Sequence, residues 1–353
     1  MAQPVHPDSQ PCSAPALTGW GRACLMTVGV PEGDAQCVAE SLVQTNLWGI
    51  DSHGIARLPH YLNRIRHGSI KAQPNITVAA TGAATAQVAG DQGLGIVVAM
   101  RAMAEAMALA RTSGIAAVGV ADSSHCGAVG LYSRVAARAG MIGMAFTHSD
   151  RIAAPHGGHV PFLGTNPISV AFPRGHGAEP VCLDMATTSI PWNRVMNARR
   201  EGIGLPADVA VDGQGAATQS ALDAAALRPL GGLDYGHKGY GLALVVELLC
   251  GPLHGNLWGP QIGPMYAELN RPRRIGAFMI ALDPMRFAGG PAFAGVVEQM
   301  ARALAAEPGA PMMPGDPELA VQRERLARGI PVEPGLRAEI QRCSEDLQLP
   351  SPV

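Results

Sequence analysis

Residues 85–150 alternate between two kinds of apolar segment, and this alternation is the feature that most constrains the fold. Three short runs have the length and composition of strands: TAQVAG (85–90), IAAVGVAD (115–122) and MIGMAFTHSD (141–150). Two longer runs between them, 96–114 and 127–140, are alanine-rich and end at a glycine, as helices commonly do. This order indicates an α/β protein, a class in which polar residues at strand ends tend to bind ligands.

Further elements are predicted on both sides of this region, and a chain of 353 residues is long enough for roughly two domains. Residues 154–173 are loop-rich, and residues 1–15 have the composition of a disordered tail. Helices are predicted at 31–48, from about Arg57 to Gly68, and at 292–307. A buried helix is predicted to begin at 239, and two more helices are predicted near the C-terminus. Strands are predicted at 179–189 and 275–284.

Charge and hydropathy exclude several classes of partner. The net charge of −2 and the 15% of charged residues lack the dense basic face that nucleic acids or anionic membranes require. The apolar run at 241–251 is too short to span a bilayer and contains a glutamate. Residues 1–15 lack the basic start and apolar stretch of a signal peptide. Seven cysteines without a C-x-x-C pair suit a reducing compartment, so we expect a cytoplasmic protein.

A glycine pair after the strand at 85–90 is a candidate dinucleotide-binding turn. Gly93 and Gly95 precede a helix, and Asp122 ends the next strand, where a Rossmann fold places a ribose-binding acid. Position 98 is valine where the third glycine would stand, and an ordinary strand-to-helix turn explains the same glycine pair.

Two other chemistries have weaker support. His148, His156 and His159 are close in sequence, but the last two lie in a glycine-rich loop without a carboxylate at a useful offset, so we expect no metal. The chain has no G-x-S-x-G motif, and the side chains of the neighbours His125 and Cys126 diverge, which disfavours a nucleophilic mechanism.

The stretch GIDSHGIARLPHY (49–61) concentrates polar side chains between glycines and a proline. His53, Arg57 and His125 together could act on a 2-hydroxy acid, because a guanidinium binds the carboxylate and an imidazole exchanges the hydroxyl proton. Each of the three could instead cap a turn or form a surface ion pair. Lys238, between glycines, could approach a phosphate or simply lie exposed in a turn.

Six segments resemble the malate/L-lactate dehydrogenase family, which is distinct from the Rossmann-type lactate and malate dehydrogenases. Its relatives include ureidoglycolate and sulfolactate dehydrogenases, diketogulonate reductase and piperideine-2-carboxylate reductase. The segments are DSHGIARLPHY (51–61), SSHCGAVGLYSRVAARAGMIGMAFTHS (123–149), APHGGHVPFLGTNPISVAFP (154–173), LDMATTS (183–189), GHKGYGLALVVELLCGPLHG (236–255) and MPGDPE (313–318).

The resemblance implies a non-Rossmann, sulfolactate-dehydrogenase-like α/β fold, and so replaces the Rossmann interpretation of Gly93, Gly95 and Asp122. It implies a helical domain from both termini (16–80 with 318–353) and a cofactor domain (81–317) with a large mixed sheet and inserted substrate and dimerisation segments. It also implies a homodimer, a small carboxylate substrate, and NAD or NADP as the cofactor.

Site residues follow from the matching segments. The resemblance implies proton transfer by His53 or His125, of which we favour His53 because Ser52 could orient it. It implies substrate contacts from Arg57, Tyr61 and Thr165, with hydride exchanged at C4 of the nicotinamide. The cofactor contacts that it implies are His125, Cys126, Gly127, Ala128, Val129, Ser149, Asp184, Met185, Ala186, His237, Lys238, Pro314, Gly315 and Asp316.

Two departures from the family pattern leave the substrate open. His148 stands where asparagine is frequent, and Arg194 where several relatives have lysine. A reductase of cyclic imine carboxylates would use the same carboxylate clamp, and a binding protein that has lost turnover would keep the same fold. A metal-dependent hydrolase is a further alternative, which a metal assay tests.

Overall fold

The computed structural model describes residues 6–353, and within that range it contains the following helices and strands. The strands are β1 (Gln10–Cys12), β2 (Thr77–Gly82), β3 (Thr85–Ala89), β4 (Ile115–Ser123), β5 (Ile142–Thr147), β6 (Ile168–Phe172), β7 (Val181–Met185), β8 (Ala210–Val211), β9 (Ala226–Leu227), β10 (Ile275–Leu282) and β11 (Ile330–Val332). The helices are α1 (Ala14–Thr27), α2 (Glu32–Leu47), α3 (Leu58–Arg66), α4 (Gly95–Ser113), α5 (Gly130–Arg138), α6 (Trp192–Glu201), α7 (Gly232–Cys250), α8 (Gly290–Ala306), α9 (Asp316–Arg328) and α10 (Pro334–Leu347).

A seven-stranded sheet with the order β2-β3-β4-β10-β5-β6-β7 forms the centre of the molecule. β3 and β4 are parallel because α4 connects them, whereas the other neighbouring strands are antiparallel. A doubly wound Rossmann sheet would be mainly parallel. The predicted non-Rossmann α/β fold with a large mixed sheet is therefore confirmed.

Two main hydrophobic clusters form the core. The first joins β3, β4, β5 and β10 to α4 and α5, and alanines on α4 such as Ala102 and Ala106 let that helix approach the sheet closely. The second joins α1, α2, α3 and α10 to the two-stranded sheet of β1 and β11, so elements from both ends of the chain pack together. The predicted division at residue 80 falls inside β2, which pairs with β3 in the large sheet.

Some predicted elements need correction. Residues 1–5 of the predicted disordered tail lie outside the described residues, but Gln10–Cys12 pair with β11 and α1 begins at Ala14, where Ser13 caps it. The helix predicted from 239 begins at Gly232, and it is not buried throughout, because Leu242, Val245 and Leu248 are exposed. None of the helices in residues 6–353 has the length and apolar composition that crossing a bilayer requires.

Candidate active site

A rigid turn between α2 and α3 positions the first group of polar side chains. Asn46, at the end of α2, accepts a hydrogen bond from the backbone N–H of Ile55 (2.7 Å) and donates one to Asp51 (2.6 Å). A Cβ on Gly54 would lie 2.2 Å from the Asn46 Oδ1 atom, so glycine is required there. The turn ends at Arg57, which is buried and donates from Nε to the Ser52 carbonyl (2.5 Å).

The two predicted histidines meet although they are distant in sequence. The His53 and His125 rings are stacked, with centroids 5.6 Å apart and planes 25° apart. Tyr61, on α3, places its hydroxyl 2.6 Å from Nδ1 of His125, and the Gly127 N–H donates to the same nitrogen at 3.3 Å. Ser52 Oγ lies 2.9 Å from Nδ1 of His53.

Both imidazoles are held in the neutral form. Burial, together with the charge of the nearby Arg57 guanidinium, lowers the pKa of His53 to about 3. Burial also holds the pKa of His125 well below its usual range, with Arg57 and His53 as further causes.

Tyr266 is a residue of this group that we did not predict. Arg57 donates from Nη1 to its hydroxyl, and the Arg57 guanidinium lies 5.9 Å from the centroid of its ring. Tyr266 belongs to the loop between α7 and β10, which carries no recognisable motif. Arg64 of α3 holds this loop by binding its backbone carbonyls, so no residue type in the loop indicates Tyr266.

A cavity of about 780 Å³ opens beside Arg57 and Tyr266, and its lining does not include His53 or His125. Ser52, Arg57 and Tyr266 line it on one side, and Asn193 of α6 lies on another, with its amide nitrogen 3.5 Å from the Ser52 carbonyl. A cavity of this size is typical of sites for small molecules. The guanidinium therefore faces a space large enough for a small carboxylic acid.

A second group of predicted residues lies at the end of the sheet, where β5, β6 and β7 meet. Thr165 donates from its backbone to Ser149 Oγ (3.3 Å), and its carbonyl accepts from the backbone and hydroxyl of Thr187 (both 2.9 Å). These are the hydrogen-bond partners of Thr165 within residues 6–353, so its contacts join it to this second group and not to Arg57. Asp150, next to Ser149, bonds to Met265 and Arg273, and so links this edge to the loop carrying Tyr266.

The strand that carries Asp184, β7, contacts both the start of α5 and the segment at 313–318. Its Oδ2 atom accepts from the Gly130 N–H at the start of α5 (2.9 Å). Burial raises the pKa of Asp184 to about 6, although the Gly130 hydrogen bond and the Arg134 charge oppose this effect. Gly315 packs against the same strand: Cys182 donates to the Pro314 carbonyl (2.8 Å). Met185, Ala186, Cys126, Ala128 and Asp316 lie in these segments.

His237 and Lys238 lie in the second turn of α7 and are exposed. The His237 ring is 5.7 Å from that of His156, and Lys238 Nζ is 5.2 Å from the centroid of the Tyr235 ring. Leu230, which accepts from the Gly239 N–H and donates to the Thr187 carbonyl, connects this turn to the sheet edge. The predicted cofactor residues therefore surround one edge of the sheet.

The glycine pair of the Rossmann interpretation has a packing role. A Cβ on Gly95 would lie 2.2 Å from the Ser124 carbonyl and 2.5 Å from that of His125. Asp122 forms an ion pair with Arg274 at 3.1 Å. The backbone contacts of Gly95 therefore account for this glycine without a bound pyrophosphate.

The three histidines considered for a metal do not converge. His148 is buried, accepts from the Gly276 N–H (2.7 Å) and contacts Glu247 (3.2 Å), whereas His156 and His159 are exposed in their loop. Within residues 6–353, no three or more His, Cys, Asp or Glu side chains are placed to share a metal ion. Of the two departures from the family pattern, His148 thus points into the core, and Arg194 lies exposed on α6.

Comparison with known sequences gives a match over most of the chain. A family profile described as malate/L-lactate dehydrogenase matches residues 12–341. An L-sulfolactate dehydrogenase from Methanothermobacter thermautotrophicus is 34% identical over 92% of this chain and 94% of its own. The NAD(+)-dependent ureidoglycolate dehydrogenase of Escherichia coli K12 is 34% identical (87% and 88%), and a (2R)-3-sulfolactate dehydrogenase (NADP(+)) from Chromohalobacter salexigens is 33% identical (86% and 89%).

Solved structures agree with the sequence match. Malate dehydrogenase from Pyrococcus horikoshii superposes with a TM-score of 0.91, with 31% identity over 99% of both chains. A delta1-piperideine-2-carboxylate reductase from Pseudomonas syringae superposes with a TM-score of 0.85, with 31% identity over 95% of this chain and 99% of the other.

Proposed function

Because the chain belongs to the malate/L-lactate dehydrogenase family, we propose that it interconverts a small 2-hydroxy acid and the corresponding 2-oxo acid with NAD or NADP. One observation carries the proposal: Arg57 lines a cavity of about 780 Å³, and its guanidinium lies near two stacked, neutral imidazoles, those of His53 and His125. These groups supply what this reaction asks of the protein, a carboxylate receptor and a proton carrier.

Arg57 binds the substrate carboxylate. Its Nε is held by the Ser52 carbonyl, which fixes the plane of the guanidinium, and the other end of the fork faces the cavity. Fork-shaped donation to a carboxylate is the interaction for which arginine is best suited. The buried position of Arg57 strengthens the attraction, because little water screens the two charges.

His125 exchanges the hydroxyl proton. Two groups fix its ring, the Tyr61 hydroxyl and the Gly127 N–H, whereas His53 is held by the adjacent Ser52. A proton carrier oriented by further groups is the usual arrangement in acid–base catalysis. Tyr61, only 1% exposed, is then a positioning residue for His125 and not a substrate contact, and His53 stacks on the His125 ring.

The edge of the sheet around Asp184 fits a dinucleotide. Arg134 is buried there, and its Nε and Nη1 atoms have no hydrogen-bond partner within residues 6–353. Unpaired buried donors beside Asp184 and Gly315 suit the phosphate and ribose oxygens of the cofactor. The residues that would hold it are those at 125–130, Ser149, 184–186, His237, Lys238 and 314–316. When bound, the nicotinamide supplies or accepts the hydride.

Reduction of a cyclic imine carboxylate is the second candidate. The structural likeness to a piperideine-2-carboxylate reductase favours it, because that likeness extends over 95% of this chain. Arg57 would bind the carboxylate of the imine in the same way. The imine nitrogen then takes the place of the oxo group as the proton acceptor.

We propose that the protein is a homodimer that associates through α7. Exposed apolar side chains on this helix (Leu242, Val245 and Leu248) support the proposal, since such patches are commonly buried between subunits. The cysteines of residues 6–353 are all free thiols, which supports a cytoplasmic location.

A substrate panel tests the function. Purified protein is mixed with NAD or NADP and 2-hydroxy acids, or with the reduced cofactors and 2-oxo acids or cyclic imine carboxylates, and the nicotinamide absorbance is followed. Turnover of a hydroxy or oxo acid is expected. Faster turnover of an imine identifies the second candidate, and cofactor binding without any turnover identifies a binding protein.

Arg57→Ala then tests the carboxylate receptor. We expect KM to rise and kcat/KM to fall about 100-fold, because a buried charge-assisted hydrogen-bond pair is lost. Arg328→Ala is the control, since Arg328 is an exposed arginine on α9 that pairs with Glu324 of the same helix. Unchanged constants in Arg57→Ala with a verified substrate would remove Arg57 from the site.

A further inference from the structure

We propose that Tyr266 is a substrate-binding residue that, together with Arg57, forms a three-donor receptor for the substrate carboxylate. The proposal rests on the proposed function, which it deepens by assigning the recognition of the acid group to two residues from different parts of the chain. Tyr266 is on the loop between α7 and β10 and lies outside the six segments that carry the family resemblance.

Arg64 holds the loop that presents Tyr266. Its guanidinium is buried and donates to four backbone carbonyls of that loop: Pro264 (2.8 Å), Met265 (2.8 Å), Ala267 (3.3 Å) and Arg271 (3.2 Å). A buried arginine is stable only when its donors are satisfied. The loop thus takes its shape from a residue of α3, the helix that begins directly after Arg57.

Two further contacts fix the phenol itself. The Met265 N–H donates to Asp150 (3.1 Å), which anchors the backbone next to Tyr266 from the opposite side. The Tyr266 ring packs edge-on against His60, with centroids 5.3 Å apart. Although 59% of Tyr266 is exposed, its hydroxyl is therefore directed to Arg57 by contacts on three sides.

The hydrogen bonds of Arg57 leave donors free at this point. Its Nε is bound to Ser52 and its Nη1 donates to the Tyr266 hydroxyl, while its Nη2 has no acceptor within residues 6–353. Since the Tyr266 oxygen accepts from Arg57, the phenolic hydrogen is free to donate elsewhere. Nη2, the second Nη1 hydrogen and the phenol O–H are thus three donors beside one cavity, which both residues line.

Three donors side by side favour an anion over a neutral group. A carboxylate offers two oxygens with about four acceptor positions, so it can satisfy all three donors. An amide of the same shape would turn its NH₂ group towards donors and leave at least one of them unpaired. Tyr266 therefore contributes to distinguishing a 2-oxo or 2-hydroxy acid from its amide.

Tyr266→Phe tests this role, because it removes the hydroxyl and keeps the ring against His60. With a substrate identified in the panel, we expect KM to rise about 10-fold while kcat changes less than about twofold, since the lost hydrogen bond is made to the bound acid and not to the reacting atoms. Tyr240→Phe is the matched control, as the Tyr240 hydroxyl forms no hydrogen bond in the described part of the chain. A fall in kcat at unchanged KM would overturn the proposal.

Calorimetric titration with oxalate, a two-carbon dicarboxylate, gives a readout that does not require turnover. Wild-type protein is expected to bind oxalate about 10-fold more tightly than Tyr266→Phe and to discriminate against the monoamide, a preference that the variant partly loses. Equal oxalate affinities, or no binding by the wild type, would overturn the proposal. Weaker binding by the variant in a protein that turns over no substrate would support the receptor and contradict the proposed function.

Discussion

At the scale of single residues, the stacked pair of His53 and His125 decides at which pH the protein can work. Protonating either ring would place a positive charge in a buried site that already contains the Arg57 guanidinium. That cost keeps both rings neutral over the ordinary pH range. A neutral His125 is ready to exchange a proton with the substrate, because it needs no prior deprotonation.

The pH profile of hydroxy-acid oxidation follows from this. Protonation of His125 removes the proton acceptor, so kcat/KM should fall as the pH is lowered, but only well below pH 6.5, the usual pKa of histidine. As far as His125 determines the rate, we expect kcat/KM to be nearly constant from about pH 6.5 to 8. Initial rates at low substrate concentration, with enzyme stability checked at each pH, measure it. An acid limb centred at pH 6.5 or above would show that His125 is not buried beside a cation during turnover.

The sequence was sufficient to group His53, Arg57 and His125, since their residue types match the needs of one reaction. It was not sufficient for Tyr266, because the loop carrying it is positioned by an arginine that binds backbone carbonyls, and any residue types can supply carbonyls. Tyr61 was predicted as a substrate contact from the resemblance. Its hydroxyl lies 2.6 Å from Nδ1 of His125, and this contact between residues 64 positions apart is not visible in a local window of sequence.

At the scale of elements, the start of α4 supports the loop that carries His125. Gly95 is the first residue of α4, and the backbone of Ser124 and His125 crosses directly over it. The Gly95 N–H also donates to Ser124 Oγ (2.8 Å). The loop lies this close to the helix because no Cβ separates them, so the position of His125 depends on this glycine.

Gly95→Ala should therefore impair both stability and catalysis. The new Cβ would lie 2.2 Å from the Ser124 carbonyl, a contact that only a shift of the loop can relieve. We expect a loss of about 2 kcal/mol in the free energy of unfolding, together with reduced kcat. Denaturant unfolding and steady-state kinetics measure the two effects.

Gly19→Ala in α1 is the control: nothing lies within 4 Å of its Cβ position, so a gain of about 0.5–1 kcal/mol in the free energy of unfolding is expected there. If both variants behaved alike, packing against the loop would not be the reason for Gly95.

Elements with a clear period or a glycine stop were predictable, and α4 and β4 are examples, with bounds within two residues of those observed. β6 was not predicted, because Ile168–Phe172 lies in a loop-rich segment and becomes a strand through pairing with β5 and β7 on both sides. Pairing energy between distant segments is not visible in a local window. The same reason applies to β1, which forms by pairing with β11 from the other end of the chain.

At the scale of the whole molecule, α7 has one buried side and one exposed apolar side. One side is buried against the sheet through Ala243, Val246 and Cys250. The other side exposes Leu242, Val245 and Leu248, which are 41%, 52% and 51% exposed. Their spacing of three residues places them close together on the helix, so they form one apolar patch. His237 and Lys238, proposed cofactor residues, lie on the preceding turns of the same helix.

Burying this patch in a second copy of the chain would therefore connect association with the cofactor site. We expect the protein to have twice the 36.5 kDa mass of the chain by light scattering at micromolar concentration. Val245→Arg should weaken association about 100-fold or more, because it places a charge in the centre of the apolar contact. Leu222→Arg is the control, since Leu222 is 77% exposed and lies in the loop between β8 and β9. If α7 orders its first turns through the dimer, the Val245→Arg monomer should also bind NAD or NADP more weakly. A Val245→Arg protein that remains dimeric would place the interface on another surface.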